Sequence, residues 1–166
     1  NFAIDTYTLT YTAEANGSIT GVTQQTVNHG SDGTAVAAVP ALGYHFVNWS
    51  DASTSNPRTD VNVTGNVSVA ANFVLNTYNL TVTATTGGTI TVPASSPVTV
   101  TNGVATPITA TVSSGYTFTG WTVVSGTGVA FANASALSTT ATLTSGDAAV
   151  QANFALYTYQ LTVTAT

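Results

Sequence analysis

The chain contains no cysteine and no methionine, so it carries no sulfur at all. Disulfides, thiolate catalysis and cysteine-based metal sites are thereby excluded. The two side chains that oxidants attack first are also missing. Charge is scarce as well. Only 4% of the 166 residues are charged, against about 25% in an ordinary soluble domain. Lysine is absent and Arg58 is the single strongly basic residue. The acids are Asp5, Glu14, Asp32, Asp51, Asp60 and Asp147, for a net charge of -5. A nucleic-acid partner requires a basic stripe that displaces counterions from phosphates, and an anionic membrane surface requires a basic cluster too. One arginine supplies neither. Lysine–asparagine cross-links are excluded by the missing lysine. No run approaches the roughly 18 apolar residues of a spanning helix, so this segment is not expected to insert into a membrane.

What the chain does have is threonine. Its 35 threonines and 14 serines carry the polar share of a sequence that is 43% hydrophobic. Threonine is β-branched, suits a pleated surface, and covers a solvent face without charge. A sulfur-free chain that offers trypsin-like proteases one site suits a long-lived extracellular material, and a secreted or cell-surface location is expected. The chain starts at Asn1 rather than methionine, which reads as a processed chain or an internal piece.

Internal repeats decide the organisation. Asn1-Phe2-Ala3-Ile4-Asp5-Thr6-Tyr7-Thr8-Leu9-Thr10 recurs as Asn72-Phe73-Val74-Leu75-Asn76-Thr77-Tyr78-Asn79-Leu80-Thr81, and again from Asn153-Phe154 to Tyr159-Gln160-Leu161-Thr162, at offsets of 71 and 81 residues. Gly43-Tyr44-His45-Phe46-Val47-Asn48-Trp49 matches Gly115-Tyr116-Thr117-Phe118-Thr119-Gly120-Trp121 at an offset of 72. The second repeat's extra length is therefore one residue before the Gly-Tyr block and nine after Trp121. The nine are expected in a surface loop around Ser125 to Ser138.

Period-2 alternation runs through the matched segments, with Tyr7, Leu9, Tyr11 and Ala13 against Thr8, Thr10 and Thr12, and Tyr78, Leu80, Val82 and Ala84 against Thr81, Thr83 and Thr85. The closing segments alternate likewise, from Val67 to Leu75 and from Val150 to Leu156. Such alternation marks strands with one buried and one wet face. Asn16-Gly17, Asp32-Gly33, Gly87-Gly88, Asn102-Gly103 and Ser145-Gly146-Asp147 supply the turns. The expected class is all-β: a tandem of small modules, each of five to seven short, mostly antiparallel strands. The divisions are 1–6, the closing-strand tail of a preceding repeat; 7–75, the first repeat; 76–156, the second; and 157–166, the opening strand of a following repeat. The expected core is Tyr7, Tyr44, Phe46, Trp49 and Phe73 in the first repeat and Tyr78, Tyr116, Phe118, Trp121 and Phe154 in the second. Leu75 and Leu156 are placed at the module junctions. Four residues between Phe73 and Tyr78 reach at most about 14 Å, which predicts a semi-rigid, rod-like array.

The combination Tyr-x-Leu-Thr-Val-Thr-Ala-Thr, Gly-Gly-Thr-Ile, Gly-Tyr-x-Phe-x-Gly-Trp and Asn-Phe closely resembles the bacterial internalin B-repeat family in its divergent form. The resemblance spans essentially the whole chain, with Asn48 standing where the family favours glycine. It implies a compact β fold, β-grasp-like in the better-known members, with an Ig-like sandwich as the other arrangement open to so small a β module. It also implies a role as a spacer, adhesive module or appendage on bacterial surface and secreted proteins, with no catalytic residues to carry over.

The residues themselves suggest no enzyme. His29 sits in a Gly/Asp turn and His45 on a strand face where the second repeat has Thr117. Ser50 and Asp51 lie near His45 in sequence, but a triad is defined by geometry and not by adjacency. No catalytic, cofactor-binding or metal-binding residue is assigned. Calcium takes six to eight oxygens, and Asp51 and Asp60 around Asn56-Pro57-Arg58 offer only a weak loop site, as does Asp147. Six Asn-x-Ser/Thr sequons, at Asn16, Asn48, Asn62, Asn66, Asn79 and Asn133, are unsurprising in so hydroxyl-rich a chain. The leading functional expectation is a structural or adhesive segment of a fibre, stalk or adhesin. Its partners would be neighbouring repeats or subunits, reached by strand addition through the end segments, or a host protein. The alternative is a polysaccharide-binding accessory module that uses exposed aromatics such as Tyr11 or Tyr157.

Overall fold

The structure, a computed structural model, describes residues 3–163. Asn1-Phe2, within the expected tail strand, and the last residues of the expected opening strand lie outside the described residues. The chain divides into two compact units between Asn76 and Thr77. Among the described residues there are fourteen strands and no helix.

The first module consists of β1 (Thr6–Ala13), β2 (Gly17–Thr20), β3 (Gln24–Asn28), β4 (Ala37–Pro40), β5 (Tyr44–Trp49) and β6 (Val67–Leu75). One sheet has the order β3-β1-β6-β5, and β2 pairs with β4 in a second. All neighbours are antiparallel except β1 and β6. These first and last strands lie side by side in parallel register, from Leu9 opposite Val67 to Ala13 opposite Ala71.

The second module has β7 (Thr77–Ala84), β8 (Gly88–Val92), β9 (Val98–Thr101), β10 (Thr106–Val112), β11 (Tyr116–Ser125), β12 (Val129–Phe131), β13 (Ser138–Leu143) and β14 (Ala148–Leu156). Its sheets run β11-β14-β7-β9 and β12-β13-β10-β8. Again the first and last strands form the one parallel pair, Leu80 opposite Ala148 through Ala84 opposite Ala152. Each module is thus an otherwise antiparallel β fold whose one parallel pair joins its first and last strands.

Eight strands in the second module exceed the five to seven expected. The nine-residue insertion accounts for part of this: it lengthens β11 to Ser125 and adds the short β12, while residues 126–128 and 132–137 form the expected loop and turn. The corresponding stretch of the first module is an irregular strand surrogate. Val36, 72 residues before Ile108, bridges Arg58 with reciprocal backbone bonds of 2.9 and 2.8 Å, whereas Ile108 pairs with Thr139 of β13. The Asn56 carboxamide then substitutes for a peptide group. It accepts from the Ala38 N–H at 2.9 Å and donates to the Ala38 carbonyl at 2.8 Å. Backbone groups that a third strand would have paired are satisfied in this way.

Each core lies between a module's two sheets. Trp49 is buried among Leu9, Tyr11, Val36, Val63, Val69 and Ala71, and Trp121 among Leu80, Val82, Ile108, Leu143 and Val150. Tyr7, Phe46 and Phe73 pack against the first cluster, and Tyr78, Phe118 and Phe154 against the second. Tyr44 and Tyr116 correct the expected core. Each opens its strand, half-buried and outside the cluster, and Tyr116 lies over Gly87 instead. The Phe73 ring lies on Gly17 and the Phe154 ring on Gly88, so a Cβ at either glycine would overlap the ring. This contact gives the Gly-Thr-Ile and Asn-Phe marks their shared meaning: the aromatic of the last strand needs a bare backbone at the start of the second.

A bulge between Phe46 and Asn48 is matched by one between Phe118 and Gly120. Gly120 adopts φ 135°, which favours glycine. Asn48 holds the equivalent bend with its side chain, which accepts from Asn72 Nδ2 at 2.9 Å. Leu75 is half-buried and Leu156 is 64% exposed. The segment from Tyr157 to Val163 forms no strand.

Candidate functional site

The one concentration of charge is inside the first module, where the strand surrogate meets the core. Arg58 is only 7% exposed. Its Nε and Nη2 donate to Asp60 Oδ2 and Oδ1 at 2.9 and 2.6 Å, a two-pronged pair, while Nη1 donates to Asp51 Oδ2 at 2.7 Å. The Tyr11 hydroxyl donates to Asp60 Oδ2 at 2.7 Å. The guanidinium carbon lies 5.6 Å from the centre of a Trp49 ring, within cation–π range. β1 aims Tyr11 inward because of its alternation. Arg58 and Asp60 face the same way because they are two apart on extended backbone.

These contacts set the protonation states. Arg58's hydrogen bonds hold the Asp60 carboxyl below the usual range against the effect of burial, and Tyr11 adds to this. Burial pushes Asp51 up, but Arg58 and the Ser53 N–H outweigh it and leave Asp51 low. Burial, then the bond to Asp60, raises the Tyr11 phenol far above its usual value. Bonding to Asp60 keeps Arg58 firmly protonated despite its own burial. The cluster is a charge-satisfied lock with every arm occupied, and its chemistry is that of holding and not of proton transfer.

Sequence reasoning placed Asp51, Arg58 and Asp60 around one loop but missed the lock. The available signal was the sole arginine of a lysine-free chain, two residues from an aspartate. Two of the carboxylates considered for loop calcium are thus engaged by Arg58. The third, Asp147, accepts from the Asn79 N–H at 2.8 Å. Among the described residues, no group of three His, Asp or Glu is placed to hold a metal ion, and no pocket is present.

The imagined triad is not brought together. His45 Nδ1 lies 2.9 Å from Asn76 Oδ1, and Ser50 Oγ accepts from the Ala70 N–H at 3.1 Å. His29 is exposed in its turn, with the Tyr7 hydroxyl 3.3 Å from its Nδ1. Of the two aromatics considered for sugar contact, Tyr11 is 2% exposed and belongs to the core. Tyr157 is 54% exposed and lies beside Tyr159, with ring centroids 6.4 Å apart. Five of the six sequon asparagines are exposed. Asn48 is half-buried and bonded to Asn72.

A second pair of residues emerges at equivalent places in the two modules. Asn66, just before β6, accepts from the Thr8 N–H at 2.8 Å, and Asp147, just before β14, accepts from the Asn79 N–H at the same distance. Each satisfies an amide of the first strand immediately ahead of the parallel ladder.

A family model described as Divergent InlB B-repeat domain matches the chain twice, over residues 7–77 and 78–158. No curated protein and no solved structure matches it.

Proposed function

The chain belongs to the divergent InlB B-repeat domain family, as two tandem copies, and on that premise we propose that it is a non-catalytic structural segment of a bacterial surface or secreted protein, acting as a spacer or stalk. The family's occurrence in surface proteins supports the location. The observation that carries the role is where the chemistry-bearing side chains go. Arg58, Asp51, Asp60 and Tyr11 bond one another within the first module, and the aromatic sets fill the two cores. The exposed strand positions are uncharged, with threonine and serine the commonest among them and valine interspersed.

Two experiments test this. Antibodies raised against the two-module chain should label intact cells that carry the parent protein; labelling only after lysis would overturn the surface location. A panel of neutral and acidic polysaccharides should give no saturable binding. The exposed Tyr157–Tyr159 pair favours the second reading, a polysaccharide-binding appendage. Saturable binding abolished by Tyr157→Ala would establish that reading in place of the first.

A further inference from the structure

We propose that each module is a mechanical clamp, built so that tension along the chain loads its two central strands in shear. The proposal deepens the spacer reading and rests on it. The chain enters the first module at β1 and leaves from β6, and enters the second at β7 and leaves from β14. In both modules these strands are adjacent and parallel over five residue pairs. Tension applied at the start of β7 and the end of β14 therefore pulls the two strands past each other along their own axes. The ladder bonds lie across that direction, so they must fail together. Had the first and last strands been antiparallel neighbours, the same tension would have opened the bonds one at a time.

Side-chain and backbone bonds extend the ladder at its two ends. Asn66 and Asp147 satisfy the Thr8 and Asn79 amides ahead of it. Beyond it, the Glu14 N–H donates to the Ala71 carbonyl at 3.0 Å and the Thr85 N–H to the Ala152 carbonyl at 2.9 Å. Thr85 Oγ1 also accepts from the Phe154 N–H at 3.0 Å, and Thr83 Oγ1 donates to the Val150 carbonyl at 3.2 Å. These contacts tie the first strand to the last by bonds that a slip of one residue would break together. The flanking strands β9 and β11 pair antiparallel on either side of β7 and β14, and they keep water from the ladder edges.

The cysteine-free chain allows handles to be placed at will. Two variants of the whole chain share a handle at Tyr157→Cys, just past β14. One carries its second handle at Thr77→Cys, where β7 begins, and the other at Thr86→Cys, just after β7 ends. All three positions are exposed, and only the end of β7 that is held differs. Single-molecule pulling should unfold the Thr77→Cys variant at a force several-fold above that of the Thr86→Cys variant, with equal melting temperatures for the two. Equal forces, or a higher force for the Thr86→Cys variant, would overturn the clamp and leave the surface location standing. A failure of cell labelling would do the reverse. If either variant melts below the parent, the two are compared at temperatures that give them equal folded stability, and the same inequality is required.

Discussion

Arg58 holds the first module's charged network together. Truncating Arg58 to alanine would leave the half-buried Asp60 without its counter-charge; breaking a fully buried pair from one side costs about 3–5 kcal/mol, and the cost here falls below that because Asp60 is partly solvated and keeps the Tyr11 hydroxyl. Each module contains one tryptophan, so a Trp121→Phe background isolates the first module's fluorescence. In that background Arg58→Ala should sharply lower the melting temperature reported by Trp49. In a Trp49→Phe background the melt reported by Trp121 should be unmoved. The pH dependence has a definite sign. Asp51 and Asp60 are held below their unfolded values, so their contribution is present above about pH 4 and is lost as pH falls through the folded values. Tyr11 is held above its unfolded value, so its contribution is full below about pH 10 and is lost as pH rises further. Acid and alkaline melts of the first module should therefore fall away at both limits. The second module, with no counterpart of this network, should hold a flatter profile across the same range. Trp49 and Trp121 fluorescence read the two profiles separately.

At the scale of the strand, Gly17 and Gly88 set how close the second strand comes to the last. Gly88→Ala should displace the Phe154 ring and cost about 1–3 kcal/mol as an overpacked contact, and Gly17→Ala should do the same through Phe73. Denaturant midpoints check both, and an unchanged midpoint in either would contradict the contact. The strands themselves were readable in the sequence because one face is apolar and the other is threonine, a period that burial enforces. Trp49, Trp121, Phe46, Phe73, Phe118 and Phe154 were legible as core for the same reason, whereas Phe131 on the inserted β12 was not. Tyr44 and Tyr116 were not, because a position at the start of a strand alternates in sequence without being covered by the opposite sheet. Tyr11 was left open between core and surface, since its partner Asp60 is 49 residues away. The parallel closure was not readable either, because the alternation of β1 and β6 fits parallel and antiparallel neighbours equally well. The Arg58 lock joins a strand to a segment with no regular pattern, so periodicity is silent about it.

For the molecule as a whole, the central claim is that two B-repeat modules each close on themselves through their own first and last strands. Each module should therefore unfold as its own cooperative unit, with the Arg58→Ala change felt in one and not the other. Residue-resolved native-state hydrogen exchange tests this most directly. The slowest amides should lie on β1 and β6 in the first module and on β7 and β14 in the second, as two sets with separate opening free energies. Arg58→Ala should speed only the first set. A single set that opens together across both modules, or slowest amides on the outer strands β3, β5, β9 and β11, would contradict the account.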